Sequence, residues 1–272
     1  MRPRDNEAKI AAVQAVAWRR LGSAGRLRVA ADMSDDTRRI AVERIKKLHP
    51  EMSDDDVLRT LARAFGGSDD ERPSERSMRI QSIALEEALG RFVEALEAAG
   101  VVYMLTGSLA STAHGVPRAT TDLDVVIDPT PDALEALLAE LAQDGWTVDR
   151  GEAAARRALA ARTQFVVTDD ATTWKIDVVV KKNRAFSITE FDRRERMEVL
   201  GIPAWVASAE DTIIAKLEFS KHSAEATRRA QQRKDIAGVV ASRGAELDRE
   251  YVERWVGELD LVDEWIQAAK TP

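Results

Sequence analysis

The chain has 272 residues, 44% hydrophobic and 32% charged, with 40 basic against 47 acidic residues for a net charge of −7, and no cysteine. That composition excludes broad disorder, a disulfide scaffold, thiolate metal sites and a cysteine nucleophile. The length allows one large domain or two smaller ones. Met1-Arg2-Pro3-Arg4-Asp5 lacks the apolar stretch of a signal peptide, and no apolar run reaches the length of a membrane span. A soluble cytoplasmic protein without membrane partners is the expectation. The net acidity argues mildly against a protein dedicated to coating nucleic acid.

Residues 1–77 hold sixteen basic and fourteen acidic residues, a net +2, and the remainder carries −9. The first part reads as three amphipathic helices. Ile10, Val13, Val16, Trp18 and Leu21 recur at helical spacing, and Gly22 and Gly25 end that stripe. Ser34 can cap a second helix with Ile40, Ala41, Ile45 and Leu48 on its face, closed before Pro50. Ser53 before Asp54-Asp55-Asp56 starts a third, with Val57, Leu58, Leu61 and Phe65 inward. Small, polar residues from Gly66 to Ser77 read as a linker, and Met78 after them either marks a gene fusion or is simply one internal methionine among six. Residues 1–67 are thus an expected N-terminal helical module and 68–79 a linker. The module has a thin core and no catalytic constellation.

Strands and helices then mix. Ile83 to Ala99 is an amphipathic helix stopped by Gly100, and Val101 to Leu105 a buried strand. A short helix runs from Leu109 to His114, a strand from Asp122 to Ile127, and a helix from Asp132 to Leu141. Trp146–Val148, Gln164–Val167, Trp174–Val180 and Ala204–Ala207 read as further strands, with Asp169-Asp170 as a turn. Everything from Ser208 onward reads as helix. The fold class is α+β: a small mixed sheet with flanking helices over 80–207, followed by a helical subdomain over 208–272.

The chemistry concentrates in Gly107-Ser108, Asp122-Leu123-Asp124 and Asp177. Alternation along a strand puts Asp122 and Asp124 on one face and Leu123, Val125 and Ile127 on the other. Two carboxylates about 5 Å apart repel by roughly 3 kcal/mol at an effective dielectric near 20. A divalent cation reverses that sign, and hard oxygen ligands select Mg²⁺ or Mn²⁺. Asp177, alone in the apolar run Ile176-Asp177-Val178-Val179-Val180, needs a partner. Set beside the first strand, it would complete a three-carboxylate site. Gly107 lets a backbone approach a phosphate, and Ser108 at a helix start supplies donors.

Gly107-Ser108, thirteen intervening residues, Asp122-Leu123-Asp124-Val125 and a later strand aspartate resemble the nucleotidyltransferase superfamily with the DNA polymerase β-type core. Arg118-Ala119-Thr120-Thr121-Asp122-Leu123-Asp124 narrows the resemblance to the AbiEii-like toxins of toxin–antitoxin systems. Lys216 in Asp211–Leu217 and Asp235 in Arg233–Ile236 match the helical lysine and later aspartate of that branch. Ser208 with Asp211 supplies a capping box for the Lys216 helix. The resemblance covers roughly residues 80–245. It implies that Asp122 and Asp124 bind Mg²⁺ and that Gly107 and Ser108 hold a nucleoside triphosphate. Lys216 would neutralise phosphate charge, with Asp235 completing the site and Arg118 favoured for phosphate contact. Asp177 would be a metal ligand or the base.

The implied enzyme is a nucleotidyltransferase of the EC 2.7.7 type, toxin-like and acting on tRNA or other RNA. An antitoxin partner would come in trans or as the fused N-terminal module, whose removal should then raise activity. Small-molecule transfer, as in the aminoglycoside nucleotidyltransferases, is the alternative enzymatic reading; a catalytically silent binding protein on the same fold is another. Basic clusters over 181–196 and at Arg228, Arg229, Arg233 and Lys234 could guide an RNA backbone or be solvated faces. His49, His114 and His222 lack metal-ligand spacing, and a structural role is expected for His114. Trp174 and Trp205 are expected in the core.

Overall fold

The structure, a computed structural model, describes residues 3–64, 85–170 and 172–270. Phe65, the expected linker with Met78, and the helix start at Ile83 lie outside the described residues. In chain order the elements are α1 (Pro3–Leu48), α2 (Asp54–Ala64), α3 (Leu85–Ala98), β1 (Tyr103–Leu105), α4 (Gly107–His114), β2 (Asp122–Ile127), α5 (Pro131–Gln143), β3 (Trp146–Val148), α6 (Glu152–Ala161), β4 (Gln164–Asp169), β5 (Lys175–Val180), α7 (Ala185–Asp192), β6 (Glu195–Val199), β7 (Ile202–Val206), α8 (Ala209–His222), α9 (Ala226–Arg243), α10 (Arg249–Glu258) and α11 (Val262–Ala269). The protein is α+β. Among the described residues no helix is long and apolar enough to cross a membrane.

The chain forms two compact units, and they cut across the expected sequence boundaries. One, here the helical unit, comprises Met1–Val29, Thr106–Arg118 and Ala185–Pro272. The other, the carboxylate unit, comprises Ala30–Leu105 and Ala119–Arg184.

In the carboxylate unit the strands follow the order β3-β4-β5-β2-β1. β2 runs parallel to β5, while β1–β2, β3–β4 and β4–β5 are antiparallel. Leu123, Val125 and Ile127 of β2 and Ile176, Val178 and Val180 of β5 are fully buried, and the alternate residues are half-buried. The period-two pattern therefore reports one covered face. Thr130 accepts from Ala133 N (3.2 Å) with Pro131 behind it, which starts α5. α3 buries Leu85, Leu89, Phe92 and Leu96, and Phe92 meets Trp146 of β3 at 5.5 Å between ring centroids.

In the helical unit α7 to α11 share one core, with Ile213, Ile214 and Leu217 of α8 against Val239 of α9 and Val252 and Trp255 of α10. Ser208 Oγ accepts from Asp211 N (3.2 Å), as the capping box predicts, and Asp248 caps α10 through Tyr251 N (3.0 Å). β6 and β7 form an antiparallel hairpin in which Val199 pairs with Ile202. The two turn residues, Leu200 and Gly201, have φ of 54° and 85°. This is the primed geometry that matches strand twist.

Several sequence expectations are corrected. Only Gly22 (φ 67°) breaks the first helix; Gly25 lies within α1, which continues to Leu48. Ser34 is inside that helix, not at a cap, and its hydroxyl donates to Ala30 O (2.7 Å). Ile40 and Leu48 are exposed, while Ala41 and Ile45 pack as expected against a small cluster of Val42, Val57 and Leu61 with Met52. α6, α7 and β6 have no counterpart in the sequence reading. α6 buries only Ala155 and Ala158, which form no apolar stripe, and β6 buries only Val199.

Candidate active site

In the carboxylate unit, the parallel register sets Asp124 opposite Asp177 and Asp122 opposite Lys175. With neighbouring strands about 4.8 Å apart, Asp122, Asp124 and Asp177 share the half-buried face expected for them. Burial raises the Asp177 pKa above the ordinary carboxylate value, and the charge of Asp122 adds to the rise while Lys175 opposes it. Thr120 Oγ1 donates to Asp122 O (2.9 Å) and Asp122 Oδ1 (3.3 Å). All three acids offer hard oxygens, which suit Mg²⁺ or Mn²⁺. Among the described residues no group of three or more His, Cys, Asp or Glu side chains is placed to hold a metal ion, so Asp122, Asp124 and Asp177 do not form a three-carboxylate site as they stand. The fit is one of donor chemistry and register, and Mg²⁺ needs only one or two carboxylates because it keeps several waters.

Lys175 escaped the sequence reading, although its place two residues before Asp177 on one strand puts it on the same face. Arg38 carried no signal at all. It is 1% exposed, its guanidinium lies 3.9 Å from the Trp174 ring, and it donates to Thr173 Oγ1 (3.1 Å) and Thr121 O (3.2 Å). Burial lowers its pKa to about 10, with Asp35 and Asp122 pulling the other way. One turn earlier, Ser34 Oγ accepts from Thr120 N (2.9 Å), and Asp35 accepts from Leu85 N (3.0 Å) at the start of α3. The Ser34–Arg38 turn of α1 thus braces the approach to β2 and β5, and so the backbone of Asp122.

In the helical unit, Gly107 opens α4 with φ +59°, a conformation a side chain resists. Ser108 is buried at 4% exposure. At the other end of α4, a Cβ on Gly115 would lie 2.8 Å from Val239 N, so the following loop rests against the α9 backbone. That loop delivers Arg118 to Asp235, Nε to Oδ2 at 3.2 Å. Asp235 Oδ2 also accepts from Lys216 Nζ (2.7 Å), and Oδ1 from Gln231 Nε2 (2.8 Å). Burial would raise the Asp235 pKa, but Lys216 and Arg118 prevail and hold it below the usual carboxylate range. Lys216, 5% exposed, donates also to Gln232 Oε1 (3.1 Å). The structure therefore pairs the motif lysine and the motif aspartate with each other.

Asp211, fully buried, accepts from Ser208 Oγ (2.6 Å), Tyr251 OH (2.6 Å) and Arg193 Nε (3.1 Å). His114 Nε2 donates to Ala207 O at 2.8 Å, and burial lowers its pKa to about 4, so the imidazole is neutral and structural. Trp174 is in the core as expected, and Trp205 is half-buried. The expected basic clusters are partly consumed: Arg193 by Asp211 and Glu210, Lys181 by Asp128 (2.5 Å), Arg228 by Glu225 (2.8 Å).

No protein-family model matches the chain, and no curated protein matches it by sequence. Among solved structures the chain is similar to the solution structure of the antibiotic-resistance factor ANT(2'')-Ia. Identity is 15% over 67% of this chain and 94% of that one, with TM-score 0.44. It is also similar to the crystal structure of ANT(2'')-Ia in complex with adenylyl-2''-tobramycin, at 14% identity over 66% and 98% with TM-score 0.42. A third likeness is to an antigenic nucleotidyltransferase-like protein from Paracoccidioides brasiliensis, at 14% identity over 57% and 75% with TM-score 0.40.

Proposed function

We propose that the protein is a nucleotidyltransferase that moves a nucleoside monophosphate from a nucleoside triphosphate to an acceptor hydroxyl. The observation that carries the reading is the carboxylate face, with Asp124 and Asp177 in register and Asp122 beside them. Such a face is unfavourable for an unliganded fold and suited to phosphoryl chemistry. The Gly107-Ser108 motif and the run from Arg118 to Asp124 support it on the sequence side.

Asp122 and Asp124 would hold Mg²⁺ or Mn²⁺, which when bound supplies positive charge to the phosphates. Gly107 and Ser108 bind the triphosphate through the first turn of α4. Asp177 takes the proton of the attacking hydroxyl; its raised pKa suits a base better than an ordinary carboxylate does. The hydroxyl oxygen bonds to the α-phosphorus, the bond to the bridging oxygen breaks, and pyrophosphate leaves. Lys216 and Asp235 hold Arg118, whose guanidinium takes up phosphate charge. The acceptor is RNA, tRNA first, and the enzyme is toxin-like with an antitoxin in trans; this part rests on the resemblance of residues 118–124.

The test uses α-labelled nucleoside triphosphates with Mg²⁺, total cell RNA, and aminoglycosides in a separate arm. Label in RNA is expected, and Asp122→Ala or Asp124→Ala should lower labelling about a hundredfold or more, the scale of losing a metal's charge stabilisation. Label on the drug alone would replace the RNA acceptor by a small molecule. Undiminished labelling by either variant would sink the site.

A further inference from the structure

We propose that the helical unit binds a small planar aromatic anion in a cavity that lies wholly within it. The cavity, about 640 Å³, is walled by the Gln14–Trp18 turn of α1, the loop 116–118, α9, Arg249 and α11. That volume falls inside the range of small-molecule sites, about 300–1,000 Å³.

Three features select the ligand. Trp18 and Trp265 both line the space, and two indoles in one lining suit an aromatic ring. The lining also includes the small residues Gly238, Ala241 and Ala268, which leave room for a flat molecule. The charges then decide its sign. Asp235, which also lines the cavity, is already satisfied by Lys216, Arg118 and Gln231, so its single negative charge is more than offset by its own partners. Lys234 and Arg249 remain. Both are exposed, both line the cavity, and neither has an ion-pair or hydrogen-bond partner among the described residues. Two uncompensated cations beside a largely apolar wall favour an anion, whose carboxylate or phosphate they would meet as its ring enters.

The cavity shares Arg118 and Asp235 with the proposed active site, but the cations that select the ligand, Lys234 and Arg249, have no part in nucleotidyl transfer. Adenosine 5′-monophosphate and indole-3-carboxylate carry the required chemistry from two sources, and adenosine and indole are their neutral counterparts. Calorimetric titration of the full chain without divalent cation should show at least one anion binding about tenfold or more tightly than its neutral counterpart. Binding of the nucleotide alone makes the ligand a nucleotide, and binding of the indole acid alone makes it an aromatic acid. Lys234→Gln/Arg249→Gln, which touches only exposed side chains, should abolish that preference. Trp265→Leu should weaken binding about fivefold, within the range of one aromatic contact. Asp122→Asn should leave the titration unchanged. Neutral ligands binding as well as the anions would overturn the proposal. So would a preference that survives the double variant, or one lost in Asp122→Asn.

Discussion

In the carboxylate unit, three acids and one lysine share a half-buried sheet face, and Asp177 is pushed above the ordinary carboxylate pKa by burial and by Asp122. In the helical unit, Asp211 and Asp235 are buried more deeply, yet each is ringed by donors, and Asp235 is held below that value by Lys216 and Arg118. The same side chain is handled in opposite ways. An acid that gathers cations and amides from its own chain is part of the framework, because its desolvation is already offset. An acid set against another acid carries an electrostatic cost that Lys175 offsets only in part, and the physical use of that cost is to attract a cation. Burial alone does not separate the two cases; the sign of the neighbours does.

The largest expected effect breaks the framework side. Lys216→Met leaves Asp235 buried with one partner fewer and should cost about 3–5 kcal/mol in urea unfolding. The double variant Lys216→Met/Asp235→Leu should recover most of that loss. If the single variant unfolds like the parent, the pair is not structural.

A second test uses pH on the same unit. His114 has a folded pKa of about 4 against about 6.5 unfolded, so its neutral form is favoured by folding. The associated stability is fully present above pH 6.5 and is lost as pH falls from there towards 4. The loss should amount to about 3 kcal/mol at the acid end. His114→Gln should flatten the urea midpoint over that window; an unchanged slope removes His114 as its cause.

In the carboxylate unit, Arg38→Met leaves Thr121 O and the Thr173 side chain without their donor. It should cost about 2 kcal/mol by the scale of charged hydrogen bonds. Arg38→Lys should restore part of this. Deleting residues 1–77 removes Ser34 and Arg38 together and should lower nucleotidyl transfer, contrary to the behaviour expected of a detachable inhibitor. The smallest effect sharpens the comparison itself. Asp177→Asn should raise thermal stability, by under about 1 kcal/mol because the face is open to solvent, while transfer falls. A loss of stability would place Asp177 with the framework acids.

Much of this was legible along the chain. The alternation Asp122-Leu123-Asp124-Val125 determined both the strand and its two faces, because a period of two leaves no other assignment. The capping box at Ser208 and Asp211 likewise fixed where α8 begins, since its donors and acceptors are all local. α6 and β6 stayed hidden because an alanine-rich helix and a charged edge strand show no apolar period. The primed turn at Leu200-Gly201 was the one local signal for the second.

What the tertiary structure alone decided concerns partners distant in sequence. Asp124 meets Asp177 across 53 positions through a parallel register that no local pattern encodes. Lys216, expected to neutralise phosphate charge, and Asp235, expected to complete the site, are paired with each other. The segment expected to be a separate module supplies Ser34, Asp35 and Arg38 to the unit that holds the carboxylates. Composition and periodicity report which face of an element is apolar. They cannot report which charge will stand opposite another, because that is set by how the elements pack, and electrostatic energy depends on that distance rather than on sequence.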